Sequence, residues 1–163
     1  MDVLIPLATD IAARLIARKE TVAVSESSAG GLISAALLAV PGASAYYRGG
    51  GVIYTGAAFK GLMGLSRDDV AGMRSSTEPY AALLAGTVRE RLRASWGLSE
   101  TGAAGPDCNG YGDPAGHACF ALVGADGAAM TTTLATGLSD RAANMERFAK
   151  GALEHFLKGL DRG

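Results

Sequence analysis

The stretch that decides the fold is residues 21–31, TVAVSESSAGG. Thr21 to Ser25 is short and rich in β-branched residues, a pattern typical of a buried strand. Ser27 or Ser28 can cap the helix that is predicted over Gly30 to Ala39. Because a strand that passes directly into a helix is the repeating unit of α/β proteins, this stretch indicates that class.

Helices and strands alternate along the rest of the chain. The other predicted helices are Val3 to Arg18, Ala57 to Gly64, a short helix from Ser66, a helix from the cap Thr77 to about Ala94, and Asp140 to Leu157 capped by Ser139. The other predicted strands are Gly51 to Thr55, Trp96 to Gly102, and a hairpin of His117 to Val123 and Ala128 to Ala135. A glycine-rich loop over Gly105 to Gly116 is predicted to be functional or mobile. Early alternation with a late hairpin predicts a three-layer α/β/α sandwich around a mixed β-sheet.

The composition indicates one domain, residues 1–163, and argues against several classes of protein. Lysine and arginine number 15 and aspartate and glutamate 16, so a formal net charge of -1 argues against nucleic acid as a partner. No apolar run approaches the roughly 20 residues of a membrane helix, and the N-terminus does not resemble a signal peptide. We therefore expect a cytoplasmic protein without membrane contact. Two cysteines and two histidines without ligand spacing predict reduced thiols and no metal.

Three turns carry residues suited to hold a ligand. The helix start at Gly30 and Gly31 offers unpaired N–H groups that suit a phosphate or carboxylate. An ordinary cap, with glycines for packing, explains the same residues and is the simpler interpretation. Thr101 to Pro106 lies at the carboxyl end of a predicted strand, where open α/β sheets tend to bind ligands, although a plain strand-to-loop turn also explains it. Arg141 lies in the first turn of the last helix, where the dipole favours anions, so a ligand anion or Asp140 can compensate its charge.

Ser44 lies in a turn and can act as a nucleophile only if a base lies within hydrogen-bond reach. No histidine is near it in sequence, which leaves a lysine as the base. Such a lysine must lose solvent to lower its pKa from about 10.4 toward neutrality, since the ammonium form cannot accept a proton. Lys60 is the only lysine between Lys19 and Lys150.

Seven short motifs extend these signals over nearly the whole chain. They are Ser25 to Gly31 (SESSAGG), Pro41 to Ser44 (PGAS), Arg48 to Gly56 (RGGGVIYTG), Ser75 to Thr77 (SST), Thr101 to Pro106 (TGAAGP), Pro114 to Gly116 (PAG) and Ser139 to Arg141 (SDR). In this order they resemble the motifs of the CinA C-terminal domain family, the nicotinamide mononucleotide deamidases.

The resemblance implies an α/β/α domain, often a homodimer, that hydrolyses the carboxamide of nicotinamide mononucleotide to nicotinic acid mononucleotide and ammonia without a metal or organic cofactor. It implies that Ser44 attacks the amide carbon, that Tyr54 and a lysine of the following helix move protons, and that Thr101 positions the serine or substrate. The residues that it implies for substrate binding are Ser27, Ser28, Gly30, Gly31, Gly105 and Arg141.

The sequence departs from the family pattern around this site. Phe59 stands at the family's lysine position, and Lys60 is the next residue, about 100° away around a helix. Gly56 replaces an asparagine and Ala29 a threonine. Two functions therefore stay open: an amidohydrolase, with Lys60 as the substitute base, or a relative that binds a nucleotide or small ligand with little hydrolysis. A third, an oligomer-forming protein with a vestigial pocket, predicts no ligand binding.

Overall fold

The computed structural model describes residues 1–162, and Gly163, the last residue of the predicted domain, lies outside the described residues. Its helices are α1 (Ile5–Arg18), α2 (Leu32–Leu38), α3 (Gly56–Met63), α4 (Glu78–Arg91) and α5 (Arg141–Leu160). Its strands are β1 (Val22–Glu26), β2 (Tyr47–Val52), β3 (Trp96–Ala103), β4 (His117–Val123) and β5 (Ala129–Ala135). Across residues 1–162, no helix is both long and apolar enough to span a bilayer.

The five strands form one mixed sheet in the order β2-β1-β3-β4-β5. The strands β2 and β3 both run parallel to β1, whereas β3, β4 and β5 are antiparallel in turn. Glu26 at the end of β1 pairs with Val52 at the end of β2, and Ser25 pairs with Ser99 in β3. The carboxyl ends of β1, β2 and β3 therefore meet at one edge of the sheet.

Helices cover both faces of the sheet, as the side chains of β4 illustrate. Phe120 and Leu122 belong to the core formed with α1, α2 and α5. Cys119 and Ala121 alternate with them and pack against α4. Because successive strand residues point to opposite faces, the chain is an α/β/α sandwich with a mixed sheet, and the fold class predicted from the sequence is confirmed.

The strand β2 starts four residues earlier than the sequence suggested, at Tyr47 rather than Gly51. Its pairing with β1 begins at Val22 and Tyr47, so the glycine run lies inside the strand instead of before it. A Cβ atom at Gly50 would lie 2.6 Å from the Val24 carbonyl oxygen, which explains why glycine occupies this strand position.

Some helix ends also differ from the sequence-based expectation. Asp140, not Ser139, caps α5, because its carboxylate accepts a hydrogen bond of 2.7 Å from the Ala143 N–H. The helix α4 ends at Arg91 instead of Ala94, and Arg93 has a φ of 51°, which is incompatible with a continuing helix. These ends depend on side-chain and backbone geometry that periodicity does not report.

We predict that Gly97→Ala destabilises the protein by about 2 kcal/mol or more, because the added methyl would overlap the Ala85 carbonyl oxygen and lie 2.8 Å from Arg89 Cβ. The matched control is Gly86→Ala in the interior of α4, where the same atom meets nothing within 4 Å. That variant should gain about 0.5–1 kcal/mol from helix propensity. Urea unfolding measures both, and equal effects of the same sign would contradict the packing described.

Candidate functional site

Two adjoining cavities open at the carboxyl edge of the parallel strands. The aromatic cavity has a volume of about 430 Å³, and its lining residues include Ser27, Tyr54, Phe59, Arg67, Tyr80, Thr101 and Tyr111. The arginine cavity has a volume of about 250 Å³, and its lining residues include Ser28, Tyr54, Gly105 and Arg141. Tyr54, Gly102 and Asn109 line both, so the two cavities form one crevice.

Arg141 joins three parts of the chain at the arginine cavity. Its Nη1 donates to the Gly105 carbonyl oxygen at 2.8 Å, and its Nη2 donates to the Tyr54 hydroxyl oxygen at 2.9 Å. Since Tyr54 accepts this bond, its own hydroxyl hydrogen is left to donate to a ligand. The arginine uses two of its five N–H donors on the protein, and its exposed side chain can offer others to an anion.

Thr101 lies near the end of β3 and is only 3% exposed. Its hydroxyl oxygen accepts a hydrogen bond of 3.2 Å from the Ser76 N–H, so it fixes the segment that leads into α4. Both residues line the aromatic cavity. Thr101 thus holds the floor of the crevice, and its hydroxyl hydrogen is available there.

Four aromatic side chains line the aromatic cavity, Tyr54 among them. Phe59 of α3 and Tyr80 of α4 stack with ring centroids 6.0 Å apart and planes 17° apart. Tyr111 lies in the glycine-rich loop, where the Arg74 guanidinium sits 5.3 Å from its ring centre. Planar, parallel aromatic surfaces of this kind suit a flat ring as ligand.

An ion pair fixes the glycine-rich loop beside the crevice. Arg74 donates to both carboxylate oxygens of Asp113, at 2.5 and 2.9 Å. The hydrogen bond from Arg74 lowers the pKa of Asp113 to about 2, so the pair stays charged at neutral pH. Asn109 donates to the same carboxylate at 2.8 Å. The loop is therefore tied to the segment before α4 and carries Tyr111 with it.

The start of α2 does not offer the free N–H groups expected at Gly30 and Gly31. The buried Glu26 carboxylate accepts hydrogen bonds from the N–H groups of Gly31, Ile33 and Ser34, at 2.9, 3.1 and 3.0 Å. The Ser34 hydroxyl donates to it as well, at 2.6 Å. Because a carboxylate of the protein already occupies this helix start, a ligand anion there would have to displace it.

A second buried carboxylate, Glu100 of β3, holds the turn before α2. It accepts hydrogen bonds from the N–H groups of Ser27 and Ala29, each at 2.9 Å, and from the Ser28 hydroxyl. Burial raises the pKa of Glu100 from its ordinary 4.5, and the nearby Glu26 carboxylate raises it further, against the lowering effect of these bonds. This carboxylate lies directly behind the crevice wall formed by Ser27 and Ser28.

Ser44 lies far from the crevice within one subunit. It is exposed in a short 3-10 turn that precedes β2, whereas Tyr54 follows β2. The strand between them spans five residue steps, about 17 Å at roughly 3.3 Å per step. Ser44 therefore occupies the amino edge of the parallel strands and cannot attack a ligand in the crevice of its own chain.

Lys60 is exposed and does not contribute to the lining of either cavity, whereas its neighbour Phe59 does. The half-buried Phe59 packs in a cluster with Ile53, Met63 and Leu84. The aromatic ring thus occupies the helix face that turns toward the crevice. The 100° step between neighbours on α3 places the ammonium group outside it.

The structure thus brings together six of the predicted site residues and leaves four apart. Those that line the crevice are Ser27, Ser28, Tyr54, Thr101, Gly105 and Arg141. Those that do not are Gly30, Gly31, Ser44 and Lys60. Another cavity, of about 350 Å³ between β5 and α5, is lined by none of these ten residues.

Sequence reasoning missed several residues that shape the crevice. Glu26 and Glu100 carried a usable signal, since each is the single charged residue of its strand. Tyr111 also carried a sequence signal, because it is an aromatic residue in a glycine-rich loop. The roles of Tyr80 and Arg74 follow only from the folded contacts, because neither belongs to a recognisable motif.

The fold and the crevice define an α/β domain with a cleft at the carboxyl edge of its parallel strands, the edge at which open α/β sheets generally bind ligands. The family model of the CinA C-terminal domain matches residues 4–160 of this chain. The chain belongs to the CinA C-terminal domain family.

Relatives and solved structures agree with this membership. A CinA-like protein of Desulfosudis oleivorans is 34% identical over 159 residues, which cover 98% of this chain and 38% of the relative. A crystal structure of a competence-damaged protein (CinA) superfamily protein from Escherichia coli is 26% identical, with a TM-score of 0.87 over 95% of this chain and 89% of that one. The structure of the competence/damage inducible protein CihA from Agrobacterium tumefaciens is also 26% identical, with a TM-score of 0.88 over 98% and 96% of the two chains. The chain spans less than two fifths of the length of the curated relative described above.

We predict that the free energy of unfolding falls with rising pH in the wild type relative to Glu100→Gln. The raised pKa of Glu100 means that the folded state binds the proton more tightly, so its stabilising effect is complete below pH 4.5 and is lost as pH rises through the folded pKa. Glutamine keeps the shape and an acceptor oxygen but does not titrate. Urea unfolding of both proteins between about pH 3 and 8 measures the difference.

Glu78→Gln is a control for which the free energy of unfolding should depend on pH in the opposite direction. Hydrogen bonds from the Thr131 and Thr133 hydroxyls lower the pKa of Glu78, so its contribution is present above pH 4.5 and is lost as pH falls. If the free energies of unfolding of the wild type and Glu100→Gln differ by the same amount at every pH, this result would contradict the environment assigned to Glu100.

Proposed function

We propose that this chain binds a pyridine mononucleotide in the crevice and hydrolyses the carboxamide of nicotinamide mononucleotide to nicotinic acid mononucleotide and ammonia. The observation that carries the proposal is an aromatic cavity that contains Arg67 and adjoins a second cavity that contains Arg141. Such a crevice matches a ligand with a flat ring and two polar ends. No metal or organic cofactor is part of this proposal.

The aromatic cavity supports binding of the nicotinamide ring. The ring is planar and carries a positive charge when it is joined to ribose. The faces of Phe59, Tyr80 and Tyr111 attract both flat surfaces and cations. The substitution of Phe59 for the family's lysine thus adds aromatic surface where a second positive charge would repel the ring.

The two arginines support a defined orientation of the ligand. Arg67 lines the aromatic cavity and can pair with the phosphate group. Arg141 lies with Tyr54 in the arginine cavity, where it can stabilise the negative charge that develops on the carboxamide oxygen. The Tyr54 hydroxyl hydrogen can be donated to the substrate there. Amide hydrolysis needs both the charge stabilisation and the proton donor.

The nucleophile is a serine in this proposal, and the resemblance assigns that role to Ser44. Since Ser44 lies at the opposite edge of the sheet from the crevice of its own chain, it can act only in the crevice of a second copy. The homodimer that the resemblance implies is one way to meet this requirement. The other way is for a serine that lines the crevice of the same chain to act as the nucleophile.

A second function, nucleotide binding with little or no hydrolysis, is favoured by Phe59. This side chain fills the position at which a lysine base would face the crevice, and Lys60 does not replace it. Loss of a general base lowers a rate by about 10² to 10⁴. Calorimetry with nicotinamide mononucleotide that shows saturable binding, together with no release of ammonia, would select this function.

We predict that Arg141→Ala lowers kcat for nicotinamide mononucleotide by about 10²-fold, because it removes a donor to the developing oxyanion. Arg67→Ala, the matched change at the other cation, should instead raise KM by about tenfold through loss of a phosphate contact. Ammonia release over a range of substrate concentrations separates the two effects. An unchanged kcat in Arg141→Ala would contradict the proposed orientation, and absence of both turnover and binding in the wild type would refute the function.

A further inference from the structure

We propose that Ser28 is the nucleophile of this chain, with the Glu100 carboxylate as its proton acceptor. The proposal rests on the function proposed above and names the catalytic pair within that same crevice. It replaces the serine that the family resemblance suggested and places the whole reaction within one subunit.

The first observation is the position of Ser28. It lines the arginine cavity together with Tyr54, Gly105 and Arg141. The same turn is held from both sides, since its neighbours Ser27 and Ala29 donate their N–H groups to Glu100. Ser28 is 4% exposed, and its turn lies beside the place proposed for the carboxamide. Reaction requires a held geometry of this kind.

The second observation is the contact between the Ser28 hydroxyl and the Glu100 carboxylate. The hydroxyl donates its hydrogen directly to this buried group. A nucleophile bonded to a base is the geometric signature of covalent catalysis. Among residues 1–162, the other crevice serines, Ser27, Ser75 and Ser76, donate no side-chain hydrogen bond to a carboxylate.

The surroundings of Glu100 strengthen this carboxylate as a base. Burial raises the pKa of this carboxyl, and Glu26 on the neighbouring strand β1 acts in the same direction. The hydrogen bonds from Ser27, Ser28 and Ala29 act in the opposite direction. A carboxylate with a raised pKa accepts the hydroxyl proton more readily than an exposed one does. It thereby supplies the base that is missing at Phe59.

The chemical steps balance without any further reactant than water. The Ser28 oxygen bonds to the carboxamide carbon while its proton passes to Glu100. The carbon–nitrogen bond then breaks, and the leaving nitrogen takes this proton and departs as ammonia. Water attacks the resulting ester, giving one proton to Glu100 and its hydroxyl to the carbon. The proton returns to the Ser28 oxygen, and nicotinic acid mononucleotide is released.

The test compares Ser28→Ala with Ser44→Ala, the same substitution at the serine that the resemblance favours. We expect ammonia release from nicotinamide mononucleotide to fall by at least about 10³-fold in Ser28→Ala and by less than about twofold in Ser44→Ala. Circular dichroism and urea unfolding confirm that both variants fold. Full activity in Ser28→Ala, or loss of activity in Ser44→Ala alone, would overturn the proposal while leaving the proposed function intact.

Glu100→Gln tests the proton acceptor. It should lower kcat/KM by about 10²-fold or more and remove the rise of kcat/KM with pH that the wild type shows as Glu100 ionises. A merely structural Glu100 would leave that rise in place, and such a result would overturn the assignment.

Labelling with a fluorophosphonate keeps the assignment testable even if nicotinamide mononucleotide is not the substrate. We expect mass spectrometry to find the label on Ser28 in the wild type and in Ser44→Ala. Labelling of Ser44 alone, or of no serine, would overturn the proposal independently of the outcome for the proposed function.

Discussion

Two buried carboxylates, Glu26 and Glu100, hold the turn on which the crevice is built. They lie on neighbouring parallel strands and accept hydrogen bonds from donors between Ser27 and Ser34. A turn and helix start with this many N–H groups would otherwise need solvent or a ligand to satisfy them. Because both acceptors belong to the sheet, the turn keeps one position, and its serines face the cavities.

This constraint determines what the crevice can offer a ligand. With the start of α2 occupied by Glu26, anionic groups of a ligand depend on side-chain cations such as Arg67 and Arg141. Phe59 turns a position expected to carry a base into part of an aromatic wall. In the proposed reaction, proton transfer then depends on Glu100, which lies behind one side of the arginine cavity, and on Tyr54, which lines that cavity beside Arg141.

The sequence predicted the fold class because strand and helix signals are local, as in the stretch that forms β1 and the turn before α2. The predicted start of β2 was wrong because Gly50 packs closely against Val24 of β1, and no local rule reports that contact. The separation of Ser44 from Tyr54 could have been inferred, because β2 lies between them in sequence. The contact of Ser28 with Glu100 could not, as it joins residues 72 positions apart through a side chain.

A crystal structure of the protein with nicotinic acid mononucleotide tests the account most directly. The account predicts the pyridine ring against the aromatic side chains of the aromatic cavity, its carboxylate within hydrogen-bond reach of Arg141 and Ser28, and its phosphate against Arg67. A nucleotide bound in the reverse direction, or in the groove between β5 and α5 that His155 and Arg162 line, would contradict it.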